Sequence, residues 1–440
     1  MGTPSAVRAP SVGRYRWLIC ALLFWVTTAN YIDRGVFSNL APELQKQFHW
    51  TDAQFWYMAV YFNIAYAVSQ LVMGRVIDKL GLRLGFALAC GFWGLASVSH
   101  AFVTSIAGFF IVRILLGFGE GGNFPAAIKT TAEWFPKSER SLATGIFNSG
   151  SNFGGLFVPV ALSALVPVLN GVHVFGHTVG WRGAFLITGS IDLLWIVAWV
   201  TIYRKPNEHP KVTAEELAYI NSEPPEPSVK IPWSELFKHR QAWAFTTAKF
   251  MTDGFWWFYL VGSPTFLFRQ FNLGLEARGK MIGTIYVVAS IGSIAGGWLS
   301  GHFMKKGWTT NRARKTTMGI AAICVVPVFF AAYTQNAWFA VILITLAASA
   351  HQAWSANAFS LASDMFPRRM VGSVTGLGGM AGALGGILLF LVVAQIQKAA
   401  QGDYRPIFIA ASISYLLGLG IIHLLAPRME RAQIDDKNLV

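Results

Sequence analysis

Apolar runs of about twenty residues recur along the whole chain, and a run of this length is what a helix needs to cross a hydrocarbon core of about 30 Å. Hydrophobic residues make up 54% of the 440 positions and charged residues only 13%, a balance far from that of a soluble domain. The runs predict an all-α integral membrane protein, because only helices and closed barrels satisfy their backbone groups inside a bilayer. Twelve transmembrane helices are expected, at residues 17–37, 53–74, 84–103, 105–128, 141–167, 182–203, 243–268, 281–304, 316–333, 337–363, 371–396 and 405–426.

The positions of the basic residues predict the orientation of these helices. Most of the 35 Lys and Arg lie in loops that an even number of spans places on the same side as both termini. Lys and Arg near span ends resist translocation, so both termini are expected in the cytoplasm. The net charge of +14 then reflects topology, and no nucleic-acid partner is expected, because basic and aromatic residues are not interleaved on an exposed face.

One long polar, proline-rich stretch, residues 204–240, divides the predicted spans into six and six. The expected organisation is an N-terminal half at 1–203, a central cytoplasmic loop at 204–240 and a C-terminal half at 241–440. Within the loop, Thr213 and Glu216 have the spacing of a capping box, which predicts a short surface helix.

The two halves are related in sequence. "AEWFPKSERSLATG" (132–145) aligns with "SDMFPRRMVGSVTG" (363–376) at a constant shift of 231 positions. Two pseudo-symmetric six-helix halves predict a cavity between them near the bilayer midplane, opened alternately to either side. This is the architecture of a carrier.

Several motifs carry a resemblance to a known family. "GRVIDKLGLR" (74–83) resembles the loop signature of the major facilitator superfamily, "RILLGFGEGGNFPA" followed by "EWFPKSER" resembles its anion:cation symporter family, and "KFMTDGFWWFYL" and "AHQAWSAN" resemble that family's bacterial hexuronate transporters. The resemblance extends from Trp17 to Pro427, although Gly254 stands where the hexuronate group is expected to have proline. It implies the major facilitator fold and a monomeric, proton-coupled symporter that imports glucuronate, galacturonate or a similar anion through the bacterial inner membrane. The expected partners are that anion, protons and lipid, with no cofactor.

Ionisable residues inside the spans are the first candidates for function, because each costs from about 2.5 kcal/mol upward to insert. Asp33 and Arg34 are neighbours on one helix and point about 100° apart, so they are expected to make different contacts. Arg113 and Glu120 lie seven residues apart, on nearly the same face and roughly 10 Å from each other. Glycines around Glu120 predict a thin, bent helix open to close approach.

These four residues form the central hypothesis. Arg34 and Arg113 are expected to bind the carboxylate of an organic anion, since a guanidinium matches a carboxylate bidentately. Asp33 and Glu120 are expected to carry the coupling proton, because burial and a neighbouring Arg oppose each other in setting a carboxyl pKa. The resemblance implies the same roles. The alternative is that these groups form structural ion pairs that lock the helices together.

A second set of polar and aromatic residues could contact the substrate. Lys249 and Asp253 are one helical turn apart and either pair with each other or bind substrate. His351 and Gln352 occupy the positions that the 231-residue shift assigns to Glu120 and Gly121. Lipid-facing packing of the aromatic residues and interhelical hydrogen bonds are the alternatives. The further candidates for substrate binding are Tyr31, Asn123, Trp257 and Asn357.

Gating residues are expected at the cytoplasmic ends of the spans, where charged residues also set topology. The resemblance implies a latch formed by Asp78 across the two halves, and the candidates for it are Gly74, Asp78, Arg83 and Arg140. Carriers of aldonates, aldarates or organic phosphates, sodium coupling and exchange remain alternatives. A membrane enzyme or a channel is not favoured, because the chain shows neither a metal or nucleophile arrangement nor a filter-like loop.

Overall fold

The computed structural model describes residues 13–50, 52–174, 177–222, 233–273, 275–368, 370–399 and 403–432. Helices account for nearly all of them. The α-helices are α1 Tyr15–Asn39, α2 Ala41–Phe48, α3 Asp52–Leu80, α4 Leu82–Ser99, α5 Ile106–Glu120, α6 Asn123–Trp134, α7 Lys137–Asn170, α8 Gly180–Ile202, α9 Ala214–Ile220, α10 Arg240–Trp257, α11 Ser263–Phe271, α12 Leu275–Lys305, α13 Thr310–Val325, α14 Ala337–Met365, α15 Val371–Ala399 and α16 Arg405–Leu425.

Shorter elements complete the chain. The 3₁₀ turns are His100–Phe102, Pro206–Glu208, Trp233–Lys238 and Val326–Ala332, and a π-helix spans Phe258–Gly262. A two-residue antiparallel pair, β1 His173–Val174 with β2 His177–Thr178, lies in the connection between α7 and α8. The all-α expectation therefore holds apart from this small hairpin.

Nine helical segments are long and apolar enough to cross a membrane, counted over the part of the chain that the structure describes. They cover nine of the twelve predicted spans, and the other three, 17–37, 141–167 and 243–268, coincide with α1, α7 and the α10–α11 segment. The last of these is interrupted by the π-helix, which the sequence did not predict. An interruption of this kind is frequent at functional sites.

The predicted bend in the fourth span is confirmed. α5 ends at Glu120 and α6 begins at Asn123, with Gly121 and Gly122 between them. A Cβ placed on Gly121 would lie 2.7 Å from the Cβ of Ser69 on α3, so this backbone can approach its neighbour only because it carries no side chain there.

The long helices before the central loop meet those after it chiefly along two helix pairs. α3 packs on α15, and α7 packs on α12. Glycines allow both approaches: Gly74 lies against the backbone of Gly372, and Gly297 lies against the backbone of Ser141. The division of the chain at residues 203 and 240 stays a prediction.

The central loop is fastened to the start of the first span by one carboxylate. Thr213 caps α9 by accepting a hydrogen bond from the Glu216 amide at 3.2 Å, as the capping-box spacing predicts. The buried Glu216 carboxylate accepts the backbone amides of Tyr15 and Arg16, both at 3.1 Å, and the Arg16 guanidinium at 3.0 Å. Arg16 also pairs with Glu139 at the start of α7, at 2.9 Å. The loop therefore joins two spans at the side of the termini.

Replacing Glu216 by Ala is expected to lower the free energy of unfolding by about 2–3 kcal/mol, because buried hydrogen bonds to a charged group are lost. Glu215→Ala is the matched control, since Glu215 is the exposed acid next to it on the same helix. That substitution is expected to change stability by less than about 0.5 kcal/mol. Thermal unfolding of the purified protein in detergent measures both, and equal losses would show that Glu216 does not fasten the loop.

Candidate functional site

A cavity of about 490 Å³ lies between the helices that precede the central loop, the first helix group, and those that follow it, the second helix group. Its volume is within the size range of small-molecule sites. Its walls come from α1, α3, α6 and α7 on one side and from α10, α14 and α15 on the other. The lining side chains with polar atoms or aromatic rings are Tyr31, Ser38, Asn63, Tyr66, Gln70, Phe124, Asn148, Ser151, Lys249, Asp253, Trp256, Trp257, His351, Gln352, Ser355, Phe359 and Phe390.

The cavity is closed on the side of the termini and reaches the surface on the opposite side. Toward the termini, the Asn148 amide donates to the Gln352 Oε1 at 2.6 Å across the α7–α14 contact. The Gln70 side chain lies against Gly379 where α3 meets α15. In the other direction the lining residues Ser38 and Phe390 are exposed. The structure therefore has one open and one closed end.

Arg34 and Glu120 form an ion pair beside this cavity. The Arg34 Nε contacts the Glu120 Oε2, which joins α1 to the end of α5. The Arg34 guanidinium carbon lies 4.3 Å from the ring centroid of Tyr66 and 4.9 Å from that of Tyr31, and both rings line the cavity. The Arg34 side chain is 12% exposed and the Glu120 side chain fully buried. The pair thus lies behind the two tyrosine rings, with the guanidinium nearer the cavity.

Both partners of this pair keep unused hydrogen-bonding capacity. Among the described residues, the Glu120 Oε1 and the Arg34 Nη2 are buried without a hydrogen-bond partner. A buried unpaired group of this kind is costly, so each such group needs an explanation. The guanidinium and the carboxylate thus each keep one atom available for a further hydrogen bond.

Asp33 and Arg34 point to different partners, as helical geometry predicts. The Asp33 carboxylate is buried and accepts the Ser97 hydroxyl of α4 at 2.8 Å. Its second oxygen makes no hydrogen bond within the part of the chain that the structure describes, and the buried carboxyl group of Asp192 on α8 lies beside Asp33. Asp33 therefore faces the interior of the first helix group, outside the cavity lining.

Arg113 does not pair with Glu120 and does not line the cavity. Its guanidinium carbon lies 4.5 Å from the ring centroid of Phe37 and 4.3 Å from that of Phe62. Its Nε and Nη1 are buried and have no hydrogen-bond partner in the described part of the chain. The seven-residue spacing correctly excludes a direct ion pair with Glu120, but the cavity wall does not extend to either residue.

Lys249 and Asp253 both pair with each other and line the cavity. The Lys249 Nζ lies 2.8 Å from the Asp253 Oδ2 and 3.8 Å from the ring centroid of Phe359. Lys249 is buried, whereas the Asp253 side chain is 17% exposed. This arrangement is thus compatible with both alternatives, an ion pair between the two residues and contact with a substrate.

The remaining candidates divide between the cavity and the helix contacts. Tyr31, Trp257, His351 and Gln352 line the cavity. Asn357 instead donates to the carbonyls of Gly296 and Ala353, at 3.0 and 2.9 Å. Asn123 donates to the Thr27 hydroxyl at 3.3 Å. The last two side chains hold helices together and are absent from the cavity lining in this structure.

The candidate gating residues lie where the two helix groups meet on the side of the termini. Asp78 accepts the Lys129 ammonium at 2.9 Å and the Ser373 amide of α15 at 2.7 Å. Arg140 donates to the Ser363 carbonyl of α14 at 3.0 Å. Arg83 donates to the Val200 carbonyl at 2.8 Å and so bonds within the first helix group.

Arg314 is a contact between the helix groups that sequence reasoning missed. Fully buried at the start of α13, it bonds Asp364 at 2.9 Å and the carbonyl of Lys137, on α7, at 3.0 Å, and it contacts Ser141. The segment 296–315, which contains Arg314, is the second-half counterpart of the segment that contains Asp78. The similarity between these two segments could have pointed to Arg314. Further lining residues that were missed, all polar groups within spans, are Asn63, Tyr66, Gln70, Asn148, Ser151 and Ser355.

No group of three or more His, Cys, Asp or Glu that could hold a metal ion occurs among the residues that the structure describes. The cavity wall combines the Lys249–Asp253 ion pair with hydroxyl groups and aromatic rings. Its chemistry suits a polar organic ligand, since one cation, amides and rings surround a single space.

Comparison with known families and proteins identifies relatives along most of the chain. The family model of the Major Facilitator Superfamily matches residues 23–390. The hexuronate transporter of Escherichia coli strain K12 is 29% identical over 414 residues, covering 92% of this chain and 93% of that protein. The galacturonate transporter of Dickeya chrysanthemi is 30% identical over 296 residues, 66% of this chain and 83% of that protein. The D-galactonate transporter of Escherichia coli O6:H1 is 26% identical, covering 94% and 96%.

Solved structures share the fold at low sequence identity. The proton:xylose symporter XylE, bound to 6-bromo-6-deoxy-D-glucose, superposes with a TM-score of 0.69 at 15% identity, covering 94% of each chain. The transporter FucP in the outward conformation gives 0.70 at 15% identity, covering 95% of this chain and all of that one.

Proposed function

The chain belongs to the Major Facilitator Superfamily, and from this premise we propose that it is a proton-coupled symporter of a bacterial inner membrane that imports a hexuronate such as glucuronate or galacturonate. The observation that carries the proposal is the Arg34–Glu120 ion pair behind the tyrosine-lined wall of a central cavity. One partner of that pair can bind a carboxylate, and the other can bind a proton. Relatives named as hexuronate and galacturonate transporters support the same class of substrate.

In this proposal Arg34 binds the substrate carboxylate. A guanidinium stays charged in a dry site and matches a carboxylate with two parallel hydrogen bonds. Arg113 also has unpaired N–H groups, at Nε and Nη1. In this proposal it becomes the second cation for the substrate when the helices rearrange. Trp257 and Tyr31 offer rings to the apolar face of the sugar, and Gln352, whose oxygen accepts from Asn148, offers an amide N–H to a hydroxyl.

Coupling follows from competition for Arg34. When Glu120 binds a proton, it loses the negative charge that now neutralises the guanidinium, and a buried guanidinium then favours another anion. Proton binding and substrate binding thus support each other, and substrate affinity is expected to rise as the pH falls. Asp33 either shares the coupling proton or holds α1 to α4 through Ser97.

Transport requires that the open and closed ends exchange. With both termini in the cytoplasm, the cavity described here opens outward. The inner end is closed by the contacts of Asp78 with Ser373 and of Arg140 with Ser363. Gly74 allows the closed approach of α3 and α15. Opening the inner end would break these contacts as one helix group rocks against the other.

A carrier of aldarates is the second candidate, because Lys249 places another cation on the cavity wall. A dicarboxylate could use it as the partner of its second carboxylate, once Asp253 is displaced or protonated. Relatives named as probable galactarate/D-glucarate transporters belong to the same set of matches.

A binding panel tests the substrate class. The purified protein is heated with glucuronate, galacturonate, galactonate, glucarate, glucose or glucose 6-phosphate, and its unfolding temperature is recorded at several pH values. A ligand at 100 times its dissociation constant stabilises by about 2.7 kcal/mol. We expect the hexuronates to raise the unfolding temperature most, and more strongly at low pH. A response to glucarate alone would favour the aldarate carrier, and no response to any sugar acid would contradict the proposal.

A further inference from the structure

One ring nitrogen of His351 forms a hydrogen bond with Tyr415. The direction of this bond decides which of the two ring nitrogens carries the hydrogen. The Nδ1 lies 2.6 Å from the Tyr415 hydroxyl, and that hydroxyl lies 3.3 Å from the Thr252 carbonyl oxygen. We assign the single hydrogen of Tyr415 to the Thr252 carbonyl, because that oxygen can only accept. The Tyr415 oxygen therefore accepts from His351, and the proton of a neutral ring resides on Nδ1.

The surroundings of His351 favour the neutral ring. The imidazole is buried and stacks on Trp256, with 5.1 Å between centroids and 11° between planes. The buried ammonium of Lys249 lies on the same cavity wall. A second cation beside that ammonium would be repelled in a site with little water.

The other ring nitrogen is left as an acceptor. With Nδ1 protonated, Nε2 carries a lone pair, and no hydrogen bond joins it to any residue that the structure describes. The neighbouring groups differ: Lys249 can only donate, and the Gln352 oxygen already accepts from Asn148. On this wall Nε2 is thus a neutral acceptor without a partner.

We propose that Nε2 of His351 accepts a hydrogen bond from a hydroxyl of the substrate, and that Tyr415 is a positioning residue that fixes the required tautomer. The inference rests on the proposed function, because it assumes that a sugar acid occupies the cavity. A site built to bond one hydroxyl rejects the analogue that lacks it, since its own polar group is then left unpaired. His351 therefore sets specificity for a hydroxylated carbon of the substrate.

Monodeoxy analogues of the best-binding hexuronate test the contact. Each analogue is titrated against the wild type and against His351→Phe, which keeps a ring on Trp256 and removes the acceptor. In the wild type, one analogue is expected to bind about tenfold more weakly than the parent, the equivalent of about 1.4 kcal/mol. In His351→Phe the same analogue and the parent are expected to bind alike. If every analogue loses the same affinity relative to the parent in both proteins, the inference is overturned.

A second measurement does not depend on the folding of that variant. Nitrogen-15 NMR of the histidine rings distinguishes protonated from bare nitrogens. We expect a bare Nε2 at His351 in the wild type, and a mixed tautomer in Tyr415→Phe together with a partial loss of the same discrimination. A protonated Nε2 in the wild type would overturn the inference alone. Failure of every sugar acid to bind the wild type would overturn it together with the proposed function.

Discussion

Replacing Glu120 by Gln is expected to abolish proton-driven accumulation of substrate while counterflow exchange continues. Gln has nearly the size of Glu but neither binds nor releases a proton at physiological pH. The substitution therefore removes the coupling site and keeps the cavity. The Arg34 guanidinium is then no longer held by the carboxylate that now contacts it. Substrate affinity should consequently become independent of pH.

Proteoliposomes separate the two activities. Accumulation is measured with an inward proton gradient, and counterflow is measured with unlabelled substrate inside and no gradient. Glu208→Gln is the control, because Glu208 is an exposed acid that pairs only loosely with Lys205, at 3.8 Å. It should retain both activities. If Glu120→Gln loses counterflow as completely as accumulation, Glu120 has a structural role.

Replacing Arg34 by Gln is expected to weaken substrate binding by at least about 30-fold, because truncating one partner of a desolvated charge pair costs about 2–5 kcal/mol. The variant should also be less stable, since the Glu120 carboxylate would remain buried without its cation. Isothermal titration measures the first effect, and thermal unfolding measures the second.

The double variant Arg34→Gln with Glu120→Gln distinguishes binding from structure. It removes both charges, so stability should recover while binding stays weak. Arg312→Gln is the matched control, because Arg312 is also an arginine over an aromatic ring, 4.1 Å from the centroid of Trp308, but is exposed. It should bind substrate like the wild type. Full recovery of affinity in the double variant would show that Arg34 only neutralises Glu120.

Local features of the site were predictable because they depend on positions close in sequence. The divergence of Asp33 from Arg34 follows from the turn of one helix. The break after Glu120 follows from Gly121 and Gly122, which leave no side chains to fill the helix surface. The cap of α9 follows from its spacing in the same way.

Contacts between distant helices were not predictable in the same way. Arg34 and Glu120 are 86 positions apart, and the periodicity of each helix specifies a face without naming the helix that packs on it. For the same reason Asn357 was expected to bind substrate, whereas its amide donates to the Gly296 carbonyl of a neighbouring helix. The sequence pattern does not single out Tyr66, whose ring packs on Arg34 and lines the cavity.

The most direct test of the account is uptake of labelled glucuronate and galacturonate into proteoliposomes that contain only this protein. With an inward proton gradient, we predict accumulation above the external concentration, and an uncoupler should abolish it. A sodium gradient alone should drive none. Accumulation that follows sodium, or uptake that requires a counter-substrate inside, would contradict proton-coupled import through the Arg34–Glu120 site.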